Sequence, residues 1–316
     1  VATSRLFDWQ LREDGAAHGT SALSAEASAY LRRDHPRLRE LAARYAAADA
    51  AVTTAPVWTD AYVADDDLRS FRGDNAYVWQ VRHVSEVQYA LVAYHLKTLD
   101  RHGWLERLEE DGAFGAFTFG VDGRLVSRDL LDSVSELLFL DRHLGLATRA
   151  GLRVLDVGAG YGRLACRAAA ALDGLGHYYC TDAVATSTFL SEFYVRFRGL
   201  TGRVTVVPLD ELDARIAPGS IDAAVNIHSF SECSLGAIDW WVRRLRALRV
   251  RHLMVAPNAA GCAGAELRTT RGEDFLPVLS GGGYRLRVKE PKYADPVVQK
   301  NGLYPTHYWL FELDER

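Results

Sequence analysis

The stretch Leu152-Arg-Val-Leu-Asp-Val-Gly-Ala-Gly-Tyr-Gly-Arg-Leu164 constrains the fold more than any other part of the chain. Val154, Leu155 and Val157 form the short apolar run that a buried parallel strand requires. Gly158, Gly160 and Gly162 follow in a turn, and Arg163 to Leu172 reads as an alanine-rich helix closed by Asp173-Gly174. Strand, glycine turn and helix together lay backbone N–H groups against a ligand. The glycine spacing selects the ligand. A dinucleotide fingerprint, G-x-G-x-x-G, would need glycine at position 163, where the chain has Arg163. The pattern present is acidic-x-G-x-G-x-G, beginning at Asp156, and a purely structural turn is its alternative.

His177-Tyr-Tyr-Cys-Thr-Asp182 reads as the next strand, ending in an acid. Asp182 stands about 20 residues past the glycines, where an acid meets a ribose hydroxyl pair. It could instead cap the helix from Val184 to Arg198. Thr186 or Ser187 is free for capping, which favours the ribose role. The βα alternation then continues. Arg203–Val207, Ile221–Ile227 and His252–Ala256 read as strands, and Tyr284–Val288 and Tyr308–Leu313 close the chain. The fourth strand of the series delivers Asn226, His228, Ser229 and Glu232 to its carboxyl end, where open parallel sheets collect ligands. The expected fold class is α/β, a doubly wound sheet.

Composition narrows the partners. The 316 residues carry a formal net charge of -4, which gives no sign of nucleic acid or an anionic membrane as partner. Cys166, Cys180, Cys233 and Cys262 form no C-x-x-C pair, so a zinc cluster is not expected, and reduced thiols suit the cytoplasm. No apolar run is long enough to cross a bilayer, and the start lacks a signal-peptide core. A homo-oligomer is left open.

The N-terminal part reads as a separate, mainly helical unit over 1–127, followed by a ligand-binding unit over 128–316. Residues 1 to about 20 are polar and irregular. Ala22 to Ala48 reads as helix broken at Asp34-His-Pro36, with Asp34 as cap. Residues 52–67 read as a loop ending in the acidic run Asp65-Asp66-Asp67, a solvated stretch. Ser85 caps a helix from Glu86 to His102. Asp122-Gly123 marks a hairpin, and Ser127 caps a helix to about His143. That helix leads directly into the glycine stretch, which makes Glu136 a candidate contact, with an exposed surface acid as the alternative. Phe71-Arg-Gly-Asp-Asn-Ala-Tyr-Val-Trp-Gln80 mixes charged, amide and aromatic groups. Arg72, Asp74, Asn75 and Tyr77 could bind a sugar, the aromatic ring stacking and the polar groups bonding hydroxyls. A tight turn leading into a packed strand is the competing reading.

From Asp156 to Leu313 the chain resembles the class I S-adenosylmethionine-dependent methyltransferases, through the acid-glycine pattern, the ribose acid and the strand series. Over most of its length, Phe71–Gln80, Ser127-Arg-Asp-Leu-Leu-Asp-Ser133 and His228-Ser-Phe-Ser-Glu232 resemble bacterial sugar O-methyltransferases of natural-product pathways, including antibiotic biosynthesis. The resemblance implies a seven-stranded Rossmann-like sheet ending in an antiparallel hairpin, with a helical N-terminal cap. It implies S-adenosylmethionine as cofactor, S-adenosylhomocysteine as product, and a sugar or glycoside as substrate. It places Asp156, Gly158, Ala159, Gly160, Tyr161, Asp182 and Asn226 at the cofactor, with Leu209 and Asp210 at the adenine. No magnesium ligand set is visible.

Methyl transfer to a sugar hydroxyl calls for alignment and a base. Neutral imidazole suits that role near pH 7. His228 is the first candidate, with Glu232 one turn on to orient it and His307 and Asp74 as alternates. An imidazole base would make the rate fall below its own pKa. His228 as a cap or cofactor contact, transfer to nitrogen or carbon, and a non-catalytic cofactor-binding subunit are the alternatives.

Overall fold

A computed structural model describes residues 23–54, 56–58, 62–63, 68–80, 84–258 and 262–314. The expected polar arm at 1–20 and the acidic run at 65–67 lie outside them. The N-terminal elements are α1 (Ala25–Tyr30), α2 (Pro36–Ala46), α3 (Ala50–Thr53), α4 (Glu86–Leu99) and α5 (Trp104–Arg107), then the hairpin β1 (Phe119–Val121) and β2 (Arg124–Val126) and the long helix α6 (Arg128–Leu144). Then follow β3 (Leu152–Val157), α7 (Arg163–Ala171), β4 (Leu175–Thr181), α8 (Ala185–Phe197), β5 (Val204–Val206), α9 (Leu212–Arg215), β6 (Ala223–Ile227), α10 (Leu235–Ala247), β7 (His252–Ala256), α11 (Leu276–Gly281), β8 (Tyr284–Pro291), α12 (Pro296–Asn301) and β9 (His307–Leu313).

Local chemistry accounts for the boundaries. The Ser127 hydroxyl accepts from the Leu130 N–H at 3.1 Å and starts α6. Ser85 and Gln88 form a capping box on α4. Asp122 and Gly123 both have positive φ, 50° and 73°, as a tight two-residue hairpin turn needs. At α2 the cap is His35, whose ring accepts from Arg37 N–H at 3.2 Å, rather than Asp34. Asp34 is drawn instead to the guanidinium of Arg32. The segment after α2 is not all loop, because Asp49 caps the short helix α3.

Seven strands form one sheet in the order β5-β4-β3-β6-β7-β9-β8. Neighbours from β5 to β7 are parallel, while β9 runs antiparallel to both β7 and β8. β3, β6 and β7 are almost wholly buried, and the small Ala165, Ala168 and Ala169 on α7 are buried too, which lets α7 lie close to the sheet. The chain runs outward from β3 to β5 and then returns to β6 beside β3. That reversal opens a crevice at the carboxyl ends of β3, β4 and β6. Among the described residues no helix is long and apolar enough to cross a membrane.

Candidate functional site

The crevice at the strand reversal holds a cavity. Its floor is the turn after β3. Gly158 has φ +73°, and a Cβ there would lie 2.2 Å from the Ser229 hydroxyl oxygen, so only glycine fits. Gly160 has φ +57°, and a Cβ there would meet the Tyr77 ring at 3.5 Å. Asp156, Ala159 and Tyr161 complete the floor; Asp182 lies beside it, and His228 and Glu232 come from the end of β6. Val52, Trp58 and Tyr77 enter from the N-terminal part.

Asp182 is tied to the glycine turn itself. One carboxylate oxygen accepts from Gly160 N–H at 2.9 Å and the other from Val184 N–H at 2.8 Å. The second bond fixes the entry to α8, so Asp182 orders that helix start while still facing the cavity. Thr186 and Ser187 are not used as caps; Ser187 pairs with the Tyr77 hydroxyl at 3.3 Å. Each Asp182 oxygen keeps acceptor capacity for a further donor. Burial pushes Asp182 up to about 7. Asp156 is buried as well, accepts among the described residues only from the Tyr178 hydroxyl at 3.1 Å, and burial pushes it up to about 7. Glu232 accepts from the Trp58 indole N–H at 2.6 Å and from Asn258 at 3.0 Å, and burial raises it above its ordinary value. None of these three carboxyls has a cationic partner among the described residues. Arg163, which also lines the cavity, is held in two hydrogen bonds to Glu136 at 2.8 and 2.9 Å and a third to Ser133 at 2.8 Å. Glu136 is therefore neither exposed nor a direct cavity residue. It is buried and serves Arg163.

His228 occupies a left-handed conformation, φ +67° and ψ -31°, unusual outside glycine. Its N–H donates to Ala256 O at 2.7 Å, which locks the backbone between β6 and β7. The side chain lines the cavity, and its Nδ1 is buried with no hydrogen-bond partner among the described residues. Burial, reinforced by the nearby charge of Arg128, pushes the ring down to about 3. Burial thus favours the neutral imidazole near pH 7. Among the described residues no hydrogen bond joins Glu232 to His228; the Glu232 oxygens accept from Trp58 and Asn258 instead.

Several other expected site residues serve the fold. Asn226 donates to Val157 O at 2.8 Å and accepts from Phe230 N–H at 2.9 Å, which uses its amide to join β6 to β3. Leu209 is buried, and its N–H donates to the Tyr45 hydroxyl at 2.9 Å. Asp210 takes two hydrogen bonds from Arg44, both at 2.8 Å. Helix α2 therefore covers the end of β5, and neither residue lines the cavity. His307 sits at the start of β9, its ring bonded to Ala263 O at 2.8 Å, away from the cavity lining.

The 71–80 segment folds as a turn without a strand. Asn75 accepts from Tyr77 N–H at 2.9 Å, and Asp74 accepts from Gln80 N–H. Arg72 is fully buried and bonds Glu110 through both carboxylate oxygens at 2.8 Å and Asp129 at 3.0 Å. Only Tyr77 of the four expected residues reaches the cavity. Arg167 closes the ring, bonding Asp129 at 2.9 Å and Glu110 at 2.7 Å, and the Tyr161 hydroxyl donates to Asp129 at 2.8 Å. The glycine turn therefore rests on a closed ring of buried ion pairs. Sequence reasoning missed Trp58, whose loop has no periodicity; it placed Ser229 at the ligand-collecting end of β6 but not against Gly158, a closeness that exists only in the folded sheet. Among the described residues no three His, Cys, Asp or Glu side chains gather as metal ligands.

No protein-family model matches the chain, and no curated protein matches it. Solved structures give distant likenesses. The cyclase SpnF is 18% identical, covering 73% of this chain and 96% of its own, with a TM-score of 0.43. A SAM-dependent methyltransferase from Aquifex aeolicus is 16% identical, covering 70% of this chain and 98% of its own, at 0.41. Mitomycin 7-O-methyltransferase MmcR is 18% identical, covering 58% of this chain and 57% of its own, at 0.41. Likenesses of this size leave the chemistry to be read from the cavity itself.

Proposed function

We propose that the chain is an S-adenosylmethionine-dependent methyltransferase that methylates a hydroxyl of a sugar or deoxysugar. One observation carries the reading: the carboxyls of Asp156, Asp182 and Glu232 line a single cavity and none of them is ion-paired among the described residues, Arg163 on the same cavity being taken up by Glu136, beside a turn where a Cβ at Gly158 would strike Ser229. Buried carboxyls without partners favour a cationic ligand. They disfavour the pyrophosphate of a dinucleotide. S-adenosylmethionine has an ammonium, a sulfonium and a ribose diol, and it supplies the methyl group. Asp182 can accept from both ribose hydroxyls with the acceptor capacity it retains. Asp156 suits the cationic end.

Neutral His228 can accept a hydrogen bond from an acceptor hydroxyl at once, without first losing a proton. Trp58 and Tyr77 present aromatic surface at the same cavity, as stacking on a pyranose requires. A second reading, transfer to nitrogen or carbon, is favoured by the low basicity of His228, since a neutral amine or an electron-rich alkene carbon attacks the methyl group before any proton is lost. Incubation with methyl-labelled cofactor and a panel of nucleotide-activated or glycosylated deoxysugars tests the proposal. Label in a base-stable sugar ether supports it. Label only on amine or carbon acceptors selects the second reading. Cofactor binding without transfer to any acceptor leaves a non-catalytic subunit, and tight NADH binding removes the whole class.

A further inference from the structure

Two stretches of the N-terminal part meet over the glycine turn. Trp58 follows α3, which packs on α10, and Tyr77 lies in the turn at 71–80. Their ring centroids are 4.9 Å apart at 45°. Tyr77 lies across Gly160 and reaches Ser187 on α8 with its hydroxyl. The Trp58 indole N–H, at 2.6 Å from Glu232, is the hydrogen bond that fastens this pair to the sheet. Asn258, at the end of β7, holds the other Glu232 oxygen at 3.0 Å. Glu232 thus joins the N-terminal part, the end of β6 and the end of β7 in one carboxylate.

We infer that Glu232 is a positioning residue that latches Trp58, and through it Tyr77, over the cavity, and so sets how long a cofactor stays bound. The inference rests on the proposed cofactor but reassigns Glu232 away from His228. A carboxylate can accept both bonds at once. A glutamine amide has one accepting oxygen, so Glu232→Gln loses at least one of them. Trp58→Phe keeps an aromatic ring and removes the donor.

The test uses the full chain and two readouts. Without ligand, hydrogen–deuterium exchange in peptides containing Trp58 and Tyr77 should rise in Glu232→Gln and in Trp58→Phe while the melting temperature holds. With S-adenosylhomocysteine as probe, the dissociation rate should rise about tenfold in each single variant, the size of one charge-assisted hydrogen bond. The double variant should release the probe no faster than the faster single variant, because Trp58→Phe removes the donor of the contact through which Glu232 acts on the cavity. Unchanged exchange, or dissociation effects that multiply in the double variant, overturns the latch. Wild-type protein that fails to bind the probe overturns the cofactor reading instead, and the exchange data still decide the latch.

Discussion

Two sets of buried carboxyls lie on either side of the glycine turn, and burial acts on them alike. Beneath the turn, burial would raise Asp129 and Glu110, yet the charges of Arg72 and Arg167 hold both below the usual carboxylate range. Above it, Asp156 and Asp182 have only neutral donors, and burial pushes both to about 7. The contrast separates support from function. Asp129 and Glu110 have completed their electrostatics with arginines inside the fold, whereas Asp156 and Asp182 have no ion-pair partner among the described residues.

Breaking the paired side should give the largest effect. Arg72→Ala strands Asp129 and Glu110 in the core with one cation, Arg167, between them. A buried pair that loses one partner costs about 3–5 kcal/mol, a large part of a typical domain's stability. Urea titration should show this loss, with the midpoint falling and cofactor binding failing only where the protein unfolds. A loss below about 1 kcal/mol would mean that the ring is not the support of the turn.

On the unpaired side, His228→Ala should cut turnover by less than the roughly 10²–10⁴-fold usual for a general base matched to the working pH, because burial has made the imidazole a weak base, while cofactor affinity holds. The structure changes the pH expectation. With His228 pushed down to about 3, its protonation does not limit the rate near neutrality. A decline as pH falls below about 7 should instead appear in cofactor binding, as Asp156 and Asp182 take up protons. A variant as fast as wild type would move the proton to another acceptor.

How much of this the sequence revealed follows physical range. The strand series and the glycine turn were legible because each is coded within a few residues: apolar runs and a glycine spacing. Arg72 was misread because its composition suits a sugar site equally well, and only the approach of Glu110 and Asp129 makes it a core residue. Leu209 and Asp210 were misplaced for a similar reason. Arg44 and Tyr45 on α2, more than 160 residues away in sequence, claim them. The partnership of Trp58 with Glu232 spans 174 residues and leaves no trace in local pattern.

A narrower cut removes one cavity-lining acid at a time. Asp182→Ala should weaken S-adenosylmethionine binding by about 1–3 kcal/mol, the range for hydrogen bonds to a charged group. Calorimetry on folded protein measures it directly. Undiminished affinity would leave Asp182 as an organiser of the α8 entry alone.

The smallest expected effect is the most specific. In the folded chain Asp156 titrates at about 7, against an ordinary value of 3.8. Between those values the native state holds a proton that the unfolded chain has released. Stability linked to Asp156 is therefore full below about pH 4 and is lost as pH rises through 7. A shift of that size converts to at most about 4 kcal/mol, and water entering the cavity should reduce the realised effect to about 1 kcal/mol. Asp156→Asn, which cannot titrate, should flatten the stability curve between pH 4 and 7 and match or exceed wild type above it. A cationic ligand favours the charged carboxylate, so cofactor binding near pH 6.5 should release protons in wild type and fewer in the variant. Calorimetry in buffers of different ionisation enthalpy counts them. Equal proton release from both proteins would mean that Asp156, although unpaired, is not the acid that meets the ligand's positive charge, and would leave that role to Asp182.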